Sequence, residues 1–161
     1  MSERFDMEKR KSFLGDSAPI PRGILEILIR DVATKKVVKY CQFGNLIVNN
    51  FRIQEAHILA GDAVASRAIN RVQFGTSGTP EAVTDSAITT PVTVNVTTTS
   101  YPTTKSVRFE GTLTSAQGNG VAFQECGLIF ANSTLAARRA FAVMTKSVAF
   151  EWTIRWTLIW P

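Results

Sequence analysis

Residues 148–160 constrain the fold more than any other stretch of the chain. Val148, Phe150, Trp152, Ile154, Trp156, Leu158 and Trp160 occupy every second position, separated by Ala149, Glu151, Thr153, Arg155, Thr157 and Ile159. A strand sends successive side chains to opposite faces, so this run places seven large apolar groups on one face. At roughly 3.3 Å per residue the segment extends about 43 Å, longer than an ordinary strand. Its three indoles need cover. Trp152 and Trp156 are expected to form a core wall, and Trp160, beside the terminus, to face a partner.

The rest of the chain carries compatible signals. The branched run Ile24–Ile29, the polar stretch Asp31–Lys36 and the apolar return Val37–Phe43 predict a hairpin over 24–43. Val92, Val94 and Val96 alternate with Thr93, Asn95 and Thr97, and Val107, Phe109 and Leu113 alternate with polar residues. Gln117-Gly118-Asn119-Gly120 is a strong turn and predicts that Val121–Phe130 returns alongside the preceding strand. Asn132-Ser133-Thr134 predicts a further turn into a strand at Arg138–Met144. Eleven threonines between positions 76 and 104 favour extended backbone over helix.

One good helix is expected after Asn49 or Asn50, either of which can cap it. Ile53, Ala56 and Ala60 form its apolar face and Gly61 its stop, and a second helical stretch is expected at Val64–Asn70. The total is seven or eight strands with one or two short helices. Turn signals every 8–15 residues predict an antiparallel β-sandwich or Greek-key barrel over residues 23–161.

Residues 1–22 read as an extended N-terminal arm ending in Pro19-Ile20-Pro21. Phe5, Phe13 and Leu14 are apolar groups on a chain end and, with Trp160, are the candidate interface residues. The net charge is +5, but the one dense cationic cluster, Lys9-Arg10-Lys11, is mixed with Glu3, Asp6 and Glu8. That pattern argues against a nucleic-acid surface, which needs cations without interleaved acids. The charged N-terminus lacks the apolar core of a signal peptide, and no run is apolar for long enough to span a bilayer, so a soluble protein made in a reducing cytoplasm is expected.

The residue types that carry chemistry are few. His57 is the only histidine and is expected to be half-buried and structural. Cys41 and Cys126 are far apart and read as buried free thiols rather than as a metal or redox pair. No serine sits in a G-x-S-x-G elbow. Gly75-Thr76-Ser77-Gly78-Thr79 lacks the spacing and the lysine of a phosphate loop. Glu110, Glu125 and Glu151 each fall in mid-strand, and a buried ion pair with Arg108, Arg138 or Arg155 is the expected use of one of them. No catalytic residue, metal or cofactor is expected, and the chain reads as non-enzymatic.

The order of short motifs carries a resemblance. Gly44-Asn45-Leu46-Ile47-Val48-Asn49-Asn50 leads into the helix, followed by Arg71-Val72-Gln73-Phe74-Gly75-Thr76-Ser77-Gly78-Thr79-Pro80 and Thr84-Asp85-Ser86-Ala87-Ile88. Glu125-Cys126-Gly127-Leu128-Ile129-Phe130 and Ala137-Arg138-Arg139-Ala140-Phe141 come later. Over residues 44–161 this series resembles a group of small tailed-phage virion structural proteins, with the pattern N-L-I-x-N, a helix, G-T-G-T-x-x-P, T-D, and an E-x-G-L-F … L-x-A-R strand pair. Here the loop reads G-T-S-G-T-P, one residue longer than the commonest form. The resemblance implies a virion location and a symmetric homo-oligomer, bound to other virion structural proteins in the tail, neck or baseplate. A capsid decoration protein bridging capsomers through the arm is the alternative, and a receptor- or carbohydrate-binding module a remote one.

Overall fold

The computed structural model describes residues 21–161. The expected arm, including Phe5, Phe13 and Leu14, lies outside the described residues. The elements are β1 (Arg22–Asp31), β2 (Val37–Ile47), helix α1 (Asn49–Leu59), a 3₁₀ turn (Val64–Arg67), β3 (Ile69–Gly75), β4 (Val92–Asn95), β5 (Thr98–Ser100), β6 (Ser106–Leu113), β7 (Ala122–Phe130), β8 (Leu135–Thr145) and β9 (Phe150–Ile159). Nine strands, all paired antiparallel, form a sheet in the order β4-β3-β7-β8-β2-β1-β9-β6-β5, curled into a half-barrel.

Two halves of this sheet meet only narrowly at β2, which pairs with β1 along most of its length but with β8 only at Leu46↔Arg138 and Ile47↔Ala137. On the far side the curl brings the sheet ends together. β4 and β5 are consecutive in the chain yet lie at opposite ends of the strand order. Between them, the Val96 amide donates to Asn70 O of β3, and the Thr97 amide donates to Glu110 O of β6. The threonine-rich stretch therefore supplies the seam of the half-barrel rather than a long strand.

The concave side holds the core. Trp152, Ile154, Trp156 and Leu158 of β9 are all buried there, as the period-2 pattern predicts. Trp152 meets Phe74 and Phe123 of the other half edge-on, at centroid separations of 5.7 and 5.8 Å. These tilted contacts place ring edges against ring faces, the favoured arrangement for aromatic quadrupoles. The two sheet halves are thus joined through side chains where the backbone barely joins them.

Several local expectations need correction. The Gln117–Gly120 turn forms, with Gly118 and Gly120 at positive φ, but β6 and β7 do not pair. β6 lies between β5 and β9, and β7 between β3 and β8, so the turn carries the chain from one half to the other. Helix α1 starts at Asn49, so its N-cap position falls on Val48, which has no side-chain oxygen to offer, and neither Asn49 nor Asn50 caps it; the Asn49 amide is instead bonded to Val83 O. Its buried residues are Phe51 and Gln54, while Ile53 is 51% exposed, so the expected Ile53–Ala56–Ala60 face is not the packed one. The second helical stretch is only the 3₁₀ turn, after which β3 begins at Ile69.

Lys146 follows β8 and is 1% exposed, with Nζ donating to Asn119 Oδ1 at 3.1 Å and to Ser147 O at 3.4 Å. Burial lowers its pKa from the usual value near 10.5, since the charged form loses hydration. Between the lowered folded value and the unfolded one, the unfolded chain binds more protons, so this group adds stability as pH rises through that window. Lys146→Met should remove that contribution. Urea unfolding of both proteins from pH 7 to 10.5 should show the stability difference moving in favour of the wild type as pH rises. A pH-independent difference would contradict a buried, pKa-lowered lysine.

Candidate interaction surface

The chain from Thr76 to Pro91 has no regular strand or helix and lies over the convex face of β3, β7 and β8. A segment of this length needs partners for its backbone. They come from two adjacent strands. Glu125 of β7 is 0% exposed and Arg138 of β8 is 4% exposed. Arg138 Nε donates to Glu125 Oε2 at 2.7 Å. The other oxygen of Glu125 accepts from the Ser77 amide at 3.2 Å and from the Thr89 amide at 2.8 Å, gripping the loop at both ends. The two remaining arms of the guanidinium reach Asp85 Oδ2 at 2.9 Å and Thr79 O at 2.9 Å. Asp85 in turn accepts from the Ala82 amide at 2.8 Å.

Burial alone would lower the Arg138 pKa, but the hydrogen bonds and charges of Glu125 and Asp85 outweigh it and raise the value further. A second ion pair, Arg139 to Glu81 at 3.0 Å, and the Ala140 amide to Glu81 Oε2 tie down the loop beyond Pro80. An apolar plug of Val48, Ile88, Ile129 and Leu135 completes the seal. Two glycines make room for it. A Cβ on Gly75 would fall 2.5 Å from both Glu125 Oε1 and Ile88 Cγ2, and one on Gly127 would fall 2.6 Å from Ile88. The Gly-Thr-Ser-Gly-Thr-Pro, Thr-Asp, Glu-x-Gly and Ala-Arg segments, scattered through the sequence, therefore form one clamp.

The second feature is an apolar groove of about 480 Å³ at the end of the half-barrel where α1 packs. Phe109, Phe130 and Leu158 form part of its lining from the core, and Phe51, Ile58 and Leu59 of α1 border it. Trp160 also lines it, at 6.5 Å from Phe51, with its indole N–H directed to Glu55 Oε1 at 3.4 Å. Trp160 is half-buried. Leu59 is 88% exposed and Tyr101 is also exposed, so the rim presents apolar surface to solvent. The sequence signal for this lining is an i, i+4, i+7, i+8 stripe from Phe51 through Glu55 to Ile58 and Leu59, a different face from that of Ile53, Ala56 and Ala60.

The remaining candidates disperse. His57 is half-buried, as expected. It is bonded to Asp62 at 2.7 Å, where Arg67 also arrives at 3.5 Å. Cys126 is buried, which pushes its thiol pKa well up, and Cys41 is half-buried. Glu110 pairs with Arg155 at 2.8 Å on the convex face, and Arg108 with Glu26 at 3.5 Å. No group of three or more potential metal ligands occurs among the described residues. No helix there is long and apolar enough to cross a membrane. In comparisons with known proteins, no family model, no curated protein and no solved structure matched the chain.

Removing one member of a buried pair strands the other charge, at a cost of about 3–5 kcal/mol. Glu125→Ala should cost that much in chemical unfolding, because it orphans Arg138 and two loop amides together. Asp85→Asn, at the partly exposed edge of the cluster, should cost about 1 kcal/mol. Equal effects of the two substitutions would contradict Glu125 as the hub.

Proposed function

We propose that this chain is a non-enzymatic structural protein of a tailed-phage particle, assembling as a symmetric homo-oligomer with other virion proteins in the tail, neck or baseplate. The observation that carries the reading is the convergence of the motif residues. Gly75, Ser77, Thr79, Asp85, Glu125, Gly127 and Arg138, drawn from four separate segments, serve one clamp that shapes a surface loop. A motif set whose members answer to one another in this way is a scaffold requirement, and it matches the series by which the sequence resembles that group. The finer fold expectation belongs with it: a sandwich-like or Greek-key barrel domain carrying an N-terminal arm.

Surface composition supports an assembling protein. Val37, Val38 and Tyr40 of β2 and Val143 of β8 are exposed on the two strands that diverge after their short pairing. Exposed apolar strands beside a sheet opening are templates for association, and an oligomer covers them.

Copy counting in purified particles that carry this protein tests the proposal. The expected result is label on the tail, neck or baseplate, with a copy number that is a small multiple of the local rotational symmetry. Label spread over the capsid shell, or absence from the particle, would overturn it.

A further inference from the structure

We infer that the apolar groove beside α1 is the seat of this chain's own N-terminal segment, with the Phe13-Leu14 pair as its anchor. The inference does not rest on the virion reading. It starts from where the described chain begins. Arg22 pairs with Ile159 at the end of β9, and Arg22, Ile159, Trp160 and Pro161 line one small cleft. Trp160 also lines the large apolar groove, so the first described strand starts at the groove's lip. Only residues 15–21 separate Leu14 from Arg22, and seven residues reach about 25 Å when extended.

The chemistry of the groove selects that occupant. Its two charged members already have partners: Glu55 receives the indole N–H of Trp160, also in the lining, and Arg67 bonds Gln54 and the Asp62 carbonyl. Small-molecule sites combine apolar walls with a few convergent polar groups, and this groove is mostly wall: beyond Glu55 and Arg67 its polar side chains are Trp160, already bonded to Glu55, and the exposed Thr99 and Tyr101. Phe13-Leu14 is the nearest pair of adjacent large apolar residues on the N-terminal side of β1. A tether this short gives an effective concentration on the order of millimolar, so the molecule's own segment outcompetes a second copy's in dilute solution.

A photo-crosslinking benzoylphenylalanine at position 13 of the full chain, read by peptide mass spectrometry, tests the inference. The expected result is an intramolecular crosslink to residues such as Leu59, Tyr101 or Trp160, with a yield unchanged on roughly hundredfold dilution. Leu59→Glu, at a position exposed enough to spare the fold, should cut that yield about tenfold by setting a charge on the apolar rim. A crosslinked dimer whose yield falls with dilution would overturn the inference in favour of a second copy. Crosslinks away from the groove, or a yield indifferent to Leu59→Glu, would overturn it outright.

Discussion

Two opposite charges have been taken out of water where β7 pairs with β8, and the outer layer of this half of the molecule is arranged around satisfying them. Glu125 and Arg138 are almost wholly enclosed. Desolvating such a pair costs several kcal/mol per ion, and mutual attraction repays it only when the remaining hydrogen-bonding positions are filled. Here they are filled by the loop. Two amides complete Glu125, and a carbonyl and a carboxylate complete Arg138. The dependence runs both ways. The loop from Thr76 to Pro91 has no ladder of its own, so its backbone is ordered by the same charges that it shields. The pair therefore specifies a loop conformation, whatever its net contribution to stability.

The sheet beneath has a complementary weakness. Its two halves share only two register pairs between β2 and β8, and its far edges meet through the Val96–Thr97 link. What holds the halves is the aromatic cluster of Trp152, Phe74 and Phe123, together with the buried face of β9. Curling the sheet around this core leaves one end incompletely filled, and α1 covers it only in part. The apolar groove is the geometric remainder of that partial cover. Both surfaces that invite a partner, the groove and the diverging β2 and β8 strands, thus follow from how the half-barrel closes.

Local pattern made a large part of this architecture legible. The alternation in β9, the β1–β2 hairpin and the Asn132–Thr134 turn between β7 and β8 each depend on residues close in sequence, and each is present. Partner choice was less accessible. The Gln117–Gly120 turn fixes the direction of the chain locally, but which strands flank β6 and β7 depends on the whole sheet order. The helix face was misread because Ile53 is the more obvious apolar residue, whereas Phe51 has ring partners, Phe130 and Trp160, contributed from far along the chain. A buried pair involving Glu125 or Arg138 was foreseeable from mid-strand charges. That its remaining positions would be filled by loop backbone was not, because nothing in a run of Thr, Ser and Pro announces which carbonyl or amide will meet a side chain some fifty residues away.

The most direct test of the clamp is amide hydrogen exchange, resolved by residue, at Ser77 and Thr89. Their N–H groups point at Glu125 Oε1 from opposite ends of a loop that has no regular secondary structure. In the wild type both amides should exchange far more slowly than Ser86 or Ala87 of the same loop, which donate no backbone or side-chain hydrogen bond among the described residues. In Glu125→Ala, under conditions where the protein stays folded, both should lose that protection together while the β1 and β9 amides keep theirs. Ser77 and Thr89 exchanging at the pace of their loop neighbours in the wild type, or staying protected without Glu125, would contradict the account.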